Sequence, residues 1–322
     1  MKSVVSVSNI SAASGQKAKG WLHAADLPGS SIDLPVMITN GAYDGPCLLL
    51  ISGIHGAEYN PIESNIRFQK MLKPDELHGA VISCTVTNIG AFNTRTTFVN
   101  PIDGKDISSS FPGKEDGTIS EKVAWVVYNE MVKKCDYMID MHGGDFIEDL
   151  RPMTIQLVTG EKETDEKIAQ MVRCFGGEYT LLRFKERLSS SPAGTAALMG
   201  KPAFIVESGK VGTIDESDVK FYLDGLMNML KLLSMLPGEA KLYDHKILSK
   251  ARLVMLKHGG IWHPIKLVGS KFEQGDLLGI LTNVFGETVE EVKAPMSGVV
   301  LFHVTAPAQK AGDAPMWLGE VE

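Results

Sequence analysis

From residue 47 onward, short apolar runs alternate with amphipathic segments, and this alternation restricts the chain to few architectures. The apolar runs have the length of buried strands and cover residues 47–53, 81–88, 137–141 and 203–207. Two segments between them place apolar residues at helical spacing, and they cover residues 61–72 and 121–134. Because alternating strands and helices are joined by right-handed crossovers, the pattern predicts an α/β fold with a largely parallel sheet and flanking helices.

The pattern changes in the last quarter of the chain. From about residue 248 it shows short alternating runs punctuated by Gly and Pro, without helical periodicity. A chain of 322 residues also exceeds the usual length of a single domain. We therefore expect two domains, an α/β domain over residues 1–240 and a small all-β domain over residues 241–322.

Two phrases of the C-terminal region, FEQGDLLGIL and VKAPMSGVV, resemble the strand and turn signature of lipoyl- and biotinyl-type β modules. Those modules attach their cofactor to a lysine on a hairpin. The corresponding stretch here, TNVFGETVEE, contains no lysine. We expect a structural or gating module without an attached cofactor.

Charge and hydropathy argue against two classes of partner. The chain has 32 Lys and Arg against 39 Asp and Glu, a formal net charge of -7, and no cluster of basic residues for nucleic acid or anionic membranes. No segment reaches the roughly 18 apolar residues of a membrane helix, and the N-terminus lacks a signal-peptide apolar region. The sequence therefore predicts a soluble cytoplasmic protein that acts on a small molecule or peptide.

Two histidine motifs follow predicted strands directly. GIHGAE supplies His55 and Glu58, which lie three residues apart, and DMHGGD supplies His142. A single histidine is usually an ordinary surface or core residue, but these two follow the C-terminal ends of predicted parallel strands, where open α/β sheets place their ligands. Two His and one Glu with a fourth position left for water are typical of catalytic zinc sites. We expect His55, Glu58 and His142 to bind one Zn²⁺.

A third predicted strand, AFIVESG, ends with Glu207. An acidic residue that closes an apolar run is costly unless it is paired or functional, so we interpret Glu207 as a general base instead of a helix cap or surface carboxylate. Arg95 in the long loop over residues 90–117 is the candidate to stabilise the oxyanion, although a solvated arginine is the alternative. Asp140 and Asp145 could orient an imidazole, and Asp145 could equally cap a turn.

GIHGAE, DMHGGD and FIVESG resemble, in order and spacing, the succinylglutamate desuccinylase/aspartoacylase family of the zinc carboxypeptidase superfamily. The resemblance spans about residues 20–322. It implies a carboxypeptidase-like α/β fold followed by a β domain, one zinc per subunit and hydrolysis of an amide bond. It also implies frequent homo-oligomers and a role for Arg95 in polarising the carbonyl or binding substrate.

One motif departs from the family pattern. The family phrase DLNRxFPG, whose Asn-Arg pair grips a substrate carboxylate, reads DISSSFPG here, so Ser108 and Ser109 occupy the positions of that pair. Serine cannot copy the bidentate fork of arginine. Either the substrate differs or another cation binds its carboxylate.

Other residues could complete the substrate site. Arg151 lies just after the third metal ligand and is the nearest alternative cation, while Glu148 in the same loop could bind an amine. Arg183 and Arg187 are more distant alternatives that we interpret as solvated arginines. In the C-terminal region, two histidines are interpreted as packed or exposed, namely His258 and His263.

The leading hypothesis is a zinc-dependent deacylase that hydrolyses the amide bond of an N-acylated amino acid or related small molecule. A zinc-binding sensor without turnover is the rival from another class, and Glu207 argues against it because a binder needs no base. A carboxypeptidase acting on peptides is the rival within the enzymes, but that reaction depends on the carboxylate clamp that is absent.

Overall fold

The structure, a computed structural model, describes residues 3–189 and 191–320. The first ten strands in chain order are β1 (Val5–Val7), β2 (Ile10–Ala12), β3 (Gln16–Leu27), β4 (Ser30–Asn40), β5 (Tyr43–Ser52), β6 (His78–Cys84), β7 (Tyr137–His142), β8 (Glu148–Val158), β9 (Tyr179–Phe184) and β10 (Ala203–Lys210). The strands that follow are β11 (Lys246–Leu248), β12 (Ala251–Val254), β13 (Gly260–Pro264), β14 (Lys271–Phe272), β15 (Leu277–Thr282), β16 (Thr288–Lys293), β17 (Gly298–Val304), β18 (Ala308–Gln309) and β19 (Met316–Gly319).

Five strands precede the first helix, and the helices lie among the strands from residue 59 to residue 232. The α-helices are α1 (Tyr59–Met71), α2 (Ile89–Thr94), α3 (Ile119–Glu130), α4 (Lys162–Phe175), α5 (Pro192–Leu198) and α6 (Glu216–Leu232). Short 3-10 turns cover Ser108–Ser110, Val132–Lys134 and Lys185–Arg187. In the part of the chain that the structure describes, no helix is both long and apolar enough to cross a membrane.

Most strands belong to one large mixed sheet of 13 strands. Its centre, in the order β6, β5, β7 and β10, is parallel, and antiparallel pairs flank it through β4 and β3 on one side and β8 on the other. The α/β fold expected from the alternating pattern is therefore confirmed. Helix α1 joins the parallel strands β5 and β6, and helix α4 joins the parallel strands β8 and β9, because a parallel pair needs a crossover connection.

The central strands are apolar on both faces, as expected for a parallel sheet covered by helices. In β5, residues 48–51 have no solvent exposure. Helix α1 begins at Tyr59, which places Pro61 in its first turn, where a missing N–H costs no hydrogen bond. Helix α3 begins at Ile119, because Thr118 and Glu121 form a capping box, and it ends at Glu130 before a 3-10 turn.

The structure places several strand and loop boundaries differently from the sequence prediction. Strand β6 covers residues 78–84 instead of 81–88, because Asn88 accepts a hydrogen bond from the Ala91 N–H at 3.0 Å and caps helix α2. The long loop predicted over residues 90–117 thus begins within a short helix. Strands β1 to β4 and the pair β8 and β9 carry no strong sequence signal and lie outside the predicted strands.

The C-terminal region contains strands and turns from residue 248 to residue 320. It has a hydrophobic core of its own, formed by Val254, Leu256, Trp262, Phe272, Leu278, Leu281, Val292, Ala294, Met296, Val300, Met316 and Leu318. The hairpin between β15 and β16 exposes Val284 and Phe285 at its tip. The main core also includes Leu248, Val299 and Leu301 of this region, and the two-domain organisation with its boundary near residue 240 stays a prediction.

The two regions nevertheless share the large sheet. Strand β17 pairs antiparallel with the start of β8, where Phe302 lies opposite Leu150 and Val304 lies opposite Glu148. Strand β19 pairs with β17 and β12 pairs with β19, so the C-terminal region extends the sheet next to the carboxyl ends of the central strands.

Candidate metal centre and active site

Four of the predicted site residues lie at the carboxyl ends of neighbouring strands. His55 follows β5, His142 ends β7, and Glu207 lies in β10 directly opposite His142 in the parallel register. Glu58 precedes the first residue of helix α1. Because β5, β7 and β10 are adjacent and parallel, their ends meet at one edge, where open α/β sheets bind ligands.

The structure brings His55, Glu58 and His142 together in a group suited to a cation. One ligand atom from each lies within 4.8 Å of the others. Glu58 lies between the imidazoles, with Oε1 2.6 Å from Nδ1 of His55 and Oε2 3.4 Å from Nδ1 of His142. Its Oε2 is buried without a hydrogen bond from the described residues, and a bound cation would satisfy it. Two imidazoles and a carboxylate are donors that suit zinc.

Each imidazole also faces a second carboxylate. Nε2 of His142 lies 3.3 Å from Asp140, and Nε2 of His55 lies 3.5 Å from Asp106. Such partners fix the ring orientation of metal-binding histidines. Asp140 was anticipated as an orienting residue, whereas Asp106 was missed, although it is the first residue of the DISSSFPG motif.

Asp145, the other candidate for orienting an imidazole, anchors a loop. Its carboxylate accepts a hydrogen bond from the Phe98 N–H at 3.0 Å and another from the Phe146 N–H at 2.5 Å. Phe98 has a positive φ of 56°, which is unusual for a bulky residue, and its ring packs edge-on against His55 at 5.8 Å between centroids. The contact with Asp145 holds Phe98 in this strained conformation beside a metal-binding candidate.

A cavity of about 160 Å³, here called the metal cavity, opens onto the three ligand candidates. Glu207 and Glu148 also line it. Burial raises the pKa of Glu207 to about 7, and the negative charge of Glu58 adds to the effect. Burial and Glu58 likewise raise the pKa of Glu148 to about 8. A carboxyl group whose pKa lies near 7 can accept and return a proton near neutral pH, as a general base must.

The remaining wall of the metal cavity is mainly apolar, and the C-terminal region contributes to it with Leu253, Phe302 and Trp317. No Lys or Arg is among the lining residues that the structure describes. Arg95 follows helix α2 with a positive φ of 55° and is exposed outside this lining. The lining of the metal cavity therefore provides candidate metal ligands and carboxylates, and the Arg95 side chain lies outside that lining.

Ser108 and Ser109 are engaged with Asp106. Both backbone N–H groups donate to the Asp106 carboxylate, at 2.8 and 3.2 Å, and the Ser109 hydroxyl donates to it at 2.5 Å. The Ser109 hydroxyl thus supports a carboxylate that faces His55. Ser108 and Ser109 therefore stabilise the Asp106 carboxylate beside His55, and neither serine lines the metal cavity.

The structure does not bring Arg151 to the metal cavity. Its guanidinium pairs with Glu178, and Glu178 also pairs with Lys246 at 3.0 Å. Arg187 is exposed, as expected for a solvated arginine, whereas Arg183 is half-buried, and both line a second cavity of about 570 Å³. This second cavity shares one lining residue, Trp317, with the metal cavity.

The two histidines of the C-terminal region lie outside both cavities. His258 is exposed and lies 3.3 Å from Glu290, and His263 lies 3.1 Å from the Thr282 hydroxyl. Their interpretation as packed or exposed residues agrees with these positions.

Comparison with known proteins adds independent information. Residues 44–233 match the model of the succinylglutamate desuccinylase/aspartoacylase catalytic domain. A curated relative is the N-alpha-acetyl-L-2,4-diaminobutyric acid deacetylase of Halomonas elongata, which is 25% identical over 298 residues, covering 90% of this chain and 86% of the relative.

Solved structures with the same fold include two similar proteins. A succinylglutamate desuccinylase/aspartoacylase from Rhodobacter sphaeroides superposes with a TM-score of 0.86 at 22% identity, over 95% of each chain. The product-bound ectoine utilization protein EutE (DoeB) from Ruegeria pomeroyi superposes with a TM-score of 0.85 at 23% identity, over 94% of each chain. With the family model matching more than half of the residues, the chain belongs to the succinylglutamate desuccinylase/aspartoacylase family.

Proposed function

We propose that this protein is a zinc-dependent hydrolase that cleaves the amide bond of an N-acylated amino acid or a related small molecule. The observation that carries the proposal is the convergence of His55, Glu58 and His142 within 4.8 Å, beside a carboxyl group, Glu207, in the same cavity. Membership of a family of deacylases, and a relative that is an N-acetyl diaminobutyrate deacetylase, support an amide as the substrate.

Each side chain then has a defined task. His55, Glu58 and His142 would hold one zinc ion, which when bound supplies Lewis acidity and lowers the pKa of water. Glu207 accepts the proton of the attacking water and returns it to the nitrogen that leaves. Burial of Glu207 raises the pKa of its carboxyl, which favours proton transfer at this position.

Other proposed roles concern the substrate. Glu148 lines the same cavity and is proposed to bind an amine of the substrate. Arg95 is proposed to stabilise the oxyanion, since it belongs to the same loop as Phe98, which lines the metal cavity. The single zinc per subunit, a homo-oligomer and a cytoplasmic location also stay predictions.

The test is hydrolysis by purified zinc-loaded protein of a panel of N-acetyl amino acids, including N-acetyl-2,4-diaminobutyrate, together with N-acyl amines and peptides. Glu207→Gln should reduce kcat by about 10²- to 10⁴-fold, the range expected for loss of a general base, while its zinc content stays that of the wild type. Metal analysis and steady-state kinetics measure the two quantities.

Glu115→Gln is the matched control, because Glu115 is an exposed glutamate away from the metal cavity, and it should retain full activity. A wild-type protein that binds zinc but hydrolyses none of these amides would favour the sensor. Hydrolysis restricted to peptides with a free C-terminus would favour the carboxypeptidase. Full activity in Glu207→Gln would refute its role as the base.

A further inference from the structure

Helix α6 packs against strand β10 and helix α1, next to the segments that carry the candidate metal ligands and base. Two of its side chains, Asp218 and Tyr222, lie one turn apart and so share a face of the helix. Tyr222 is fully buried and Asp218 is half-buried. Neither side chain lines the metal cavity, so the groups to which they bind determine what they do.

The Tyr222 hydroxyl lies within hydrogen-bond distance of two backbone carbonyl oxygens, that of His142 and, at 3.0 Å, that of Ser208. His142 is the last residue of β7, and Ser208 directly follows Glu207 in β10. The single proton of the hydroxyl can be donated to either oxygen. One buried hydroxyl thus joins the end of the strand that carries a metal-ligand candidate to the strand that carries the proposed base.

The sheet alone does not hold these two strand ends together. The parallel register between β7 and β10 ends with the pair His142 and Glu207. On its other side β10 pairs with β8, and that register shifts between Glu207 and Gly209. Gly143, which follows β7, approaches β10 so closely that a Cβ there would lie 2.5 Å from the Ser208 carbonyl oxygen. Because regular pairing stops where the site begins, contacts from outside the sheet are needed to fix the two ends.

Asp218 extends this link to the segment that carries Glu58. Its carboxylate accepts a hydrogen bond from the Ser208 hydroxyl at 2.6 Å and another from Nδ2 of Asn60 at 3.4 Å. Asn60 is buried in the first turn of α1, two residues after Glu58. Its Oδ1 accepts a hydrogen bond at 2.7 Å from the Asp215 N–H, just before α6. Helix α6 and the residue before it therefore contact the segments of two metal-ligand candidates and of the proposed base.

We propose that Asp218 and Tyr222 are positioning residues, which hold two metal-ligand segments and the general-base segment at a fixed separation. This inference rests on the proposed zinc-dependent hydrolysis and identifies residues that support its site. Packing alone does not require a tyrosine at position 222, because a phenylalanine ring would fill the same space and a buried hydroxyl is costly unless it is bonded. Precise support matters because a displacement of about 1 Å at a reacting group can lower a rate about 100-fold.

The first test is Tyr222→Phe, which removes one hydroxyl and keeps the ring. In the zinc-loaded protein kcat should fall about 10- to 100-fold while KM stays near that of the wild type, because no residue that lines the metal cavity changes. The affinity for zinc, measured by competition with a chelator, should fall about tenfold. Tyr128→Phe is the matched control, because Tyr128 lies on helix α3 outside the metal cavity, and it should keep both quantities.

The second test does not depend on turnover. Co²⁺ bound in place of zinc reports the geometry of its ligands through its visible absorption spectrum. Tyr222→Phe and Asp218→Asn should each change this spectrum relative to the wild type. Asp224→Asn is the matched control, because Asp224 is exposed on the same helix, where it pairs with Lys220 at 2.6 Å. A purely structural role would lower the unfolding temperature and leave the Co²⁺ spectrum of the folded protein unchanged.

The outcomes separate this inference from the proposed function. If the wild type hydrolyses no amide, yet both variants change the Co²⁺ spectrum and lower the zinc affinity, the proposed function fails and the positioning role stands. If the wild type is active and both variants keep its kcat, zinc affinity and Co²⁺ spectrum, the positioning role is overturned. Should Tyr222→Phe fail to fold, Asp218→Asn decides, since a wild-type spectrum and kcat would overturn the role and changed values would support it.

Discussion

The metal cavity and the second cavity, which Arg183 and Arg187 line, meet at Trp317 but are built differently. The metal cavity, of about 160 Å³, is formed at the ends of three central strands and presents histidines and carboxylates. The second cavity, of about 570 Å³, is formed by β9 and the C-terminal region and presents arginines. The two cavities therefore use separate parts of the fold, so mutations at the metal cavity and mutations away from it should have different effects.

The largest effect should come from the metal ligands. His142→Ala should abolish zinc binding and reduce hydrolysis below detection, and it should remove the added stability that zinc gives, about 2.7 kcal/mol at a zinc concentration 100 times Kd. Thermal unfolding with and without zinc measures this difference. His258→Ala changes an exposed histidine and should behave as the wild type. Stoichiometric zinc binding by His142→Ala would contradict the ligand assignment.

A smaller effect should come from the carboxylate that faces His55. Asp106→Asn keeps the shape of the side chain but weakens its interaction with Nε2 of His55, and we expect a 10- to 100-fold loss of zinc affinity or activity. Competition with a zinc chelator measures the affinity. Asp116→Asn, at an exposed position, is the control. An Asp106→Asn protein with wild-type zinc affinity and kcat would show that the contact does not position the imidazole.

The smallest effect should come from Arg151, because it pairs with Glu178 at a partly exposed site. Arg151→Ala should leave kcat/KM unchanged and lower the free energy of unfolding by less than about 1 kcal/mol. The hydrogen bond from Arg151, and then that from Lys246, lowers the pKa of Glu178 to about 2. This depressed pKa means that the stabilisation is present above the unfolded-state pKa of about 4.3 and is lost as the pH falls through about 2.

Urea unfolding of Arg151→Ala at pH 7 and near pH 2 measures this dependence. The difference from the wild type should be present at pH 7 and should diminish near pH 2. A tenfold fall in kcat/KM for an acidic substrate would instead place Arg151 in the recognition of the substrate anion.

The two cavities also differ in how well the sequence predicts them. His55, His142 and Glu207 each follow or close an apolar run, and strand ends in a parallel sheet meet because their register is set by neighbouring backbone hydrogen bonds. Local patterns are therefore enough to bring these residues together. The α/β fold was predictable for the same reason, since the central strands carry continuous apolar runs.

The second cavity depends on contacts between segments that are distant in the sequence. Arg183 lies on β9, which pairs with β8, while Arg252 lies on β12, which joins the sheet only through β19. No local pattern distinguishes Arg183 from a solvated arginine, so the sequence predicts one there. The position of Asp106 was also missed, because its approach to His55 depends on the path of an irregular loop.

Strand β17 of the C-terminal region covers the start of β8 by pairing with it. If residues after 240 were removed, Glu148–Leu150 would lose the partner strand that now covers them, and β9 would lose β11. Unpaired strand edges invite association with other chains. A truncation at the predicted boundary near residue 240 would therefore expose strand edges of the large sheet.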